Sequence, residues 1–179
     1  MMTEPDVLLL PERQYLAEQL TAVERCAYFA LLTRRRIDWP LAARTLQLRR
    51  LDAPWFEHLA ALNERFAKLQ DVLGAAMRHT AFLLAEPAPS FLHVLVFFEK
   101  HGVVVSTQQW LRIRKMRNDA AHDYDIDPQV TADHFNQIDA DLPELAGMAQ
   151  SLVGFCGQWL NIQPVDAQVH AAFEALAGA

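Results

Sequence analysis

The sequence predicts an all-α protein, an up-and-down bundle of about five to six helices. Two observations favour this fold class. Apolar residues recur every three or four positions over long stretches, and the only β-leaning run covers residues 103–105. The chain has 179 residues, of which 52% are hydrophobic and 21% are charged. This composition is typical of a globular protein with a substantial core, and it excludes wholesale disorder.

The first 50 residues are predicted to form a helical extension that packs on the bundle. A proline in the first turn begins a helix over about residues 11–34, and a shorter helix is expected after Asp38. The bundle itself is assigned to residues 51–163. Residues 164–179 are interpreted as a tail that forms a weak helix.

The centre of the chain contains the longest apolar stripe. It predicts a helix over about residues 54–84, entered through Asp52. A proline-containing loop over residues 86–89 ends this stretch. Ser90 is then expected to cap a further helix, and Gly102 to follow its last turn, where glycine is favoured because the backbone adopts a positive φ.

Two more helices are predicted in the C-terminal half. Residues 106–109 have the spacing of a capping box, which indicates a helix over about residues 107–122. Asp127 is a good N-cap for the last long helix, whose first residue is a proline. Pro143 lacks the backbone donor that a helix interior needs, so a kink or a restart is expected near Asp141.

Charge and cysteine content limit the classes of function. The net charge of −6 means that any contact with a nucleic acid must come from a local patch. Cys26 and Cys156 lie far apart and are interpreted as reduced thiols of a cytoplasmic protein. No secretion signal and no membrane span are expected. No cofactor and no metal site are predicted, because the histidines have no metal-ligand spacing and no glycine-rich phosphate loop occurs.

Residues 106–127 contain the side chains that most clearly suit catalysis or ligand binding. Four cations precede Asn118 without an intervening acid, namely Arg112, Arg114, Lys115 and Arg117. Arginine binds phosphate through its planar fork, and His122 can move a proton near neutral pH. These groups suit metal-free cleavage of RNA. Simple ion pairing on a surface remains an alternative interpretation of the same residues.

Helical geometry separates the two principal groups. Arg117 and His122 point about 140° apart on a straight helix, so backbone direction alone cannot aim both at one atom. Either the long arginine side chain curls round the helix, or a symmetric partner supplies the other group, and a homodimer is therefore expected. Asn118 shares a stripe with His122 and can set the tautomer of the histidine by hydrogen bonding.

Residues 117–124 read Arg-x4-His-x-Tyr, with a polar residue directly after the arginine. This pattern closely resembles the signature of HEPN-domain proteins, specifically the HepT-like toxins. The stretch over residues 65–77, on the long helix before the motif, is also similar to that family. The likeness covers about residues 54–160.

The resemblance implies a HEPN-like bundle that dimerises and cleaves RNA without a metal. The protein would be an endoribonuclease toxin of a type II or type VII-like toxin–antitoxin system. Arg117 and His122 would be catalytic, and Asn118 and Asp119 would support them. Tyr124 would be a regulatory or RNA-contacting position. The implied partner is a cognate MNT-type nucleotidyltransferase antitoxin, which modifies the motif tyrosine in some relatives.

Two other interpretations stay open. The chain is alternatively a non-catalytic HEPN-like subunit that binds a nucleotidyltransferase or a nucleotide, or a purely structural helical dimer. If RNA is bound, Arg112, Arg114 and Lys115 are the candidate contacts for its phosphates. An arginine-rich region within residues 34–50 is interpreted as a solvated face or as an auxiliary surface for RNA phosphate or a partner.

Overall fold

The computed structural model describes residues 9–123 and 127–178, without the side chains of residues 118–123. Within these ranges the protein consists of seven helices and contains no strand, so the all-α prediction is confirmed. The helix beyond the predicted five to six is the C-terminal one, which the sequence indicated only weakly. The helices are α1 (Leu10–Arg34), α2 (Ala43–Leu48), α3 (Ala53–Leu83), α4 (Phe91–Lys100), α5 (Thr107–Asp123), α6 (Pro128–Leu160) and α7 (Ala167–Ala177).

Predicted capping residues begin the helices around the bundle. The Asp52 carboxylate accepts a hydrogen bond from the Trp55 amide at 3.2 Å and begins α3. The Asp127 carboxylate accepts from the Gln129 amide at 2.8 Å and begins α6. At the end of α4, Gly102 has a φ of 71°, as the sequence predicts for the residue that follows a helix. Local side-chain chemistry therefore explains these boundaries.

Two local predictions differ from the structure. Helix α6 continues through Pro143, so a restart near Asp141 is wrong. The adjacent Leu142 is fully buried, and burial of this part of α6 in the core offsets the lost backbone donor. Ser90 precedes α4, but its hydroxyl bonds to His93 Nδ1 at 2.8 Å instead of capping a backbone amide.

A single hydrophobic core joins the helices. Helix α1 packs along α3, and α6 packs against both of them. Leu20 of α1, Phe66 of α3 and Leu142 of α6 belong to the same buried cluster. Helices α1 and α2 thus contribute to the core of the bundle. In the described ranges, no helix is both long and apolar enough to cross a membrane.

Helix α5 is attached to α6 by a bidentate ion pair. Arg112 donates from Nη2 to Asp141 Oδ1 at 2.6 Å and from Nη1 to Asp141 Oδ2 at 3.1 Å. Asp141 is only 4% exposed, and the Gln137 side chain donates to the same carboxylate at 3.1 Å. Gln109 of α5 makes a second bridge to Glu144 of α6. These bonds compensate a buried charge and fix the position of α5.

Replacing Arg112 with alanine should destabilise the protein by about 2 kcal/mol, because the Asp141 carboxylate would stay buried without its main partner. The loss should stay below that of a fully buried pair, since the Arg112 side chain is 46% exposed. The free energy of unfolding in urea measures the change. Arg114→Ala is the matched control on α5 and should change the free energy by about 0.5 kcal/mol or less. Equal losses in both variants would contradict a structural role for the Arg112–Asp141 pair.

His134 connects α6 to α3 through a side-chain hydrogen bond. Its Nε2 atom lies 3.0 Å from the Asn63 side-chain oxygen, and the pair is partly buried. Burial lowers the pKa of His134 below its usual range. The unfolded chain therefore takes up a proton at this residue before the folded chain does as pH falls.

The contribution of His134 to stability should be fully present at pH 7 and decrease as pH falls towards 5, because protonation then favours the unfolded state. His134→Gln retains an amide donor for Asn63 and should lose less unfolding free energy over the same pH interval than the wild type. Urea unfolding at pH 7 and pH 5 tests this. The control His58→Gln, on the partly exposed surface of α3, should retain the wild-type pH dependence.

Candidate functional site

A cleft of about 90 Å³ opens between α3 and α5. Arg78 of α3 and Arg114 of α5 line it, and both residues are exposed. Phe91 of α4 and Trp110 of α5 form its apolar wall. The cleft combines two cationic groups with an aromatic surface, which are features that favour an anionic ligand with ring or sugar components.

Gly74 of α3 allows the aromatic wall to approach the helix backbone. A Cβ atom at this position would lie 3.3 Å from Phe91 Cζ and 3.6 Å from Trp110 Cζ2. The Phe91 and Trp110 ring centroids are 6.0 Å apart. The absence of a side chain at Gly74 therefore sets the depth of the cleft.

Gln70 lines the cleft and contains a buried acceptor that the described residues leave without a partner. Its side chain is 2% exposed, and Nε2 donates to the Trp110 carbonyl at 3.2 Å. Its Oε1 atom is buried and has no hydrogen-bond partner among the residues that the structure describes. A buried acceptor without a partner costs free energy.

Arg117 lies one turn beyond Arg114 on α5 and turns towards α3. Its Nη1 atom donates to Asp71 Oδ1 at 2.5 Å and to the Ala67 carbonyl at 3.3 Å. The side chain is 20% exposed. Because Asp71 also lines the cleft, the Arg117 guanidinium lies at its edge. The Asp71 carboxylate holds this guanidinium in place and neutralises part of its charge.

The three candidate contacts for RNA phosphate occupy different environments. Arg112 is paired with Asp141, so its charge has a structural use, and its contact with phosphate stays a prediction. Arg114 lines the cleft and has no carboxylate within ion-pair distance in the described part of the chain. Lys115 is exposed on the same helix. Of the three, Arg114 is the one that the structure brings into the cleft.

The remaining candidates belong to the segment after Arg117. Helix α5 continues to Asp123, so the arginine and histidine positions of the Arg-x4-His pattern share one helix. The side chains of Asn118, Asp119 and His122 lie outside the described residues, as does the whole of Tyr124. The predicted catalytic, supporting and regulatory roles of these residues stay predictions.

Sequence reasoning missed Arg78 and Gln70. Both lie on α3 with Gly74, at successive spacings of four residues, so they share one face of the helix. A polar stripe on a helix that is otherwise apolar on its buried side was the available signal. Its meaning depends on α5, which lies opposite this stripe only in the folded protein.

Arg78 also borders a second, wider depression of about 390 Å³ that shares Phe91 with the cleft. The Arg78 guanidinium lies 4.4 Å from the centre of the Phe91 ring, which orients it by a cation–π contact. Phe82, Pro89 and Val94 contribute apolar surface. The two depressions thus share Arg78 and Phe91 as lining residues.

Among the residues that the structure describes, Asp71 is the one carboxylate of the cleft lining and no histidine or cysteine lines it, so this part of the lining is poorly suited to a metal ion. Comparisons with known proteins identify no relative. No family model matches the chain, and no curated protein or solved structure shows a significant similarity to it. The resemblance to HEPN-domain proteins therefore depends on the sequence pattern alone, and the family stays a prediction.

Proposed function

We propose that this protein is a metal-independent endoribonuclease in which Arg117 and His122 carry the reaction. The observation that supports the proposal most strongly is the convergence of three arginines from two helices. Arg78 and Arg114 line the cleft, and Arg117 reaches its edge through Asp71. Guanidinium groups bind phosphate oxygens well, and a chain with a net charge of −6 needs such a local cluster to attract RNA.

The proposed reaction is an internal transfer at phosphorus. The ribose 2′-oxygen attacks the adjacent phosphorus atom while His122 takes the 2′-hydroxyl proton. The bond from phosphorus to the 5′-oxygen breaks, and that oxygen leaves with a proton from water. Arg117 stabilises the negative charge that grows on the phosphoryl oxygens. The products are a 2′,3′-cyclic phosphate and a 5′-hydroxyl, and no metal takes part.

The other cleft residues bind and orient the substrate in this proposal. Arg78 and Arg114 contact phosphates on either side of the scissile bond. Phe91 offers an apolar face to a ribose or a base.

The biological role that fits this activity is that of a toxin in a type II or type VII-like toxin–antitoxin system. The support is the resemblance of residues 117–124 to the HepT-like signature. An MNT-type nucleotidyltransferase antitoxin is the proposed partner, and Tyr124 is the proposed site of its control. A homodimer is proposed because a second copy can bring His122 and Arg117 of opposite chains together.

A second candidate function is binding without catalysis, as a HEPN-like subunit for a nucleotide or a nucleotidyltransferase. One observation favours it. The Arg117 side chain is four-fifths covered and is bonded to both Asp71 and the Ala67 carbonyl, as in an arginine that stabilises a helix contact. In this case the cationic cleft would bind phosphate groups, and replacing His122 would leave that binding intact.

Purified protein should cleave single-stranded RNA in the presence of EDTA. His122→Ala should abolish cleavage because the base is lost, and Arg117→Ala should slow it by about 100-fold or more because charge at phosphorus is no longer stabilised. A 5′-labelled RNA reports the position of the cut and the end group of the product. The same RNA with a single 2′-deoxy substitution at the cut serves as the comparison substrate. The deoxy substrate should resist cleavage at that position.

His58→Ala, purified in the same way, is the matched control against a contaminating nuclease and should retain wild-type cleavage. A requirement for Mg²⁺ or Mn²⁺ would refute the proposed mechanism. RNA binding without cleavage, unchanged in His122→Ala, would establish the second candidate in place of the first.

Asp71→Asn should lower the KM for RNA several-fold, because the amide keeps the shape of the side chain while removing the charge that competes with phosphate for Arg117. The value of kcat should change less than KM. Steady-state cleavage at fixed ionic strength separates the two constants.

Glu57→Gln makes the same change in net charge on an exposed residue about four turns away on α3, and its KM should equal that of the wild type. An unchanged KM in Asp71→Asn, or a similar decrease in both variants, would show that Arg117 does not meet the substrate phosphate.

A further inference from the structure

Helix α7 carries a cluster of metal-ligating side chains that the proposed function does not use. His170 and Glu174 are four residues apart and share one face of α7, opposite Glu24 of α1. One donor atom from each of the three side chains lies within 4.8 Å of the others. The cluster thus brings one ring nitrogen and two carboxylates together from two helices.

Glu24 is the most deeply buried carboxylate of this cluster. Its side chain is fully buried, and its Oε1 atom is 2.6 Å from His170 Nδ1. Its Oε2 atom is buried without a hydrogen-bond partner in the described ranges. Burial raises the pKa of Glu24, and the charge of Glu174 adds to the rise. A hydrogen bond to His170 satisfies one oxygen only and leaves two carboxylates close together.

We propose that Glu24, His170 and Glu174 bind a divalent transition metal of the zinc class, with water as the fourth ligand. Mixed nitrogen and carboxylate donors suit Zn²⁺, whereas Mg²⁺ and Ca²⁺ prefer oxygen donors alone. Ligand atoms in a tetrahedral zinc site lie about 3.3 Å apart. The separations of 2.6 Å and up to 4.8 Å bracket this spacing, so side-chain rotation is enough to form the site.

The surroundings of the cluster support a bound metal. Gln150 of α6 donates from Nε2 to Glu174 Oε2 at 3.1 Å, the type of outer hydrogen bond that orients a ligand carboxylate. The His170 side chain is 38% exposed, which gives an ion and a water molecule access to the site. A metal there would join α7 to α1 and stabilise the C-terminal helix.

Titration of the metal-free, full-length protein with Co²⁺ tests the site. One equivalent should bind and give the intense visible absorption of four-coordinate Co²⁺, and Zn²⁺ should displace it. His170→Gln and Glu174→Gln should each weaken Co²⁺ binding by about 100-fold or more, because each removes a ligand. His93→Gln and Glu18→Gln are matched controls at exposed positions and should bind Co²⁺ like the wild type.

Amide hydrogen exchange gives a second readout that does not depend on Co²⁺ spectra. Zn²⁺ should slow amide exchange over residues 167–177 in the wild type. In Glu174→Gln, Zn²⁺ should leave the exchange rate of these residues unchanged. Less than one equivalent of bound Co²⁺, weak absorption typical of six-coordinate Co²⁺, or equal affinity in His170→Gln and His93→Gln would each overturn the proposal. RNA cleavage is not measured, so the result is independent of the proposed ribonuclease activity.

Discussion

The bidentate pair between Arg112 and Asp141 is the contact on which the cleft depends. It secures α5 to α6 at a buried carboxylate, where an isolated charge would be costly. Because one side of α5 is attached to α6 in this way, the opposite side of α5 faces α3. Trp110 and Arg114 then form one wall of the cleft, and Gln70 and Arg78 form the other.

The arginines of this region divide between structural and ligand-binding environments. Arg112 is committed to a buried partner, whereas Arg78 and Arg114 face the cleft without a carboxylate at ion-pair distance in the described ranges. Arg117 is intermediate, because the Asp71 carboxylate that orients it would compete with a bound phosphate for it. This division explains how an acidic protein can present a cationic surface of limited extent. In the proposed reaction, Asp71 would balance the positioning of Arg117 against its attraction for the substrate phosphate.

The proposed metal site and the cleft differ in charge and in their place in the fold. The cleft brings Arg78 and Arg114 together where α3, α4 and α5 meet. The cluster around Glu24 brings two carboxylates and His170 together between α1 and α7, where the proposed metal would satisfy a fully buried carboxylate. A metal at the second position would stabilise the helix packing without taking part in chemistry at the first.

Much of the fold was determined by the sequence alone, because helix signals are local. Apolar spacing within α3 and capping by Asp52 and Asp127 involve residues a few positions apart, so the helix boundaries were predictable. The tertiary structure decided which polar groups meet. Asp141 is 29 residues from Arg112, and His170 is 146 residues from Glu24. Contacts over such separations depend on how the helices pack, and helical periodicity does not encode that packing.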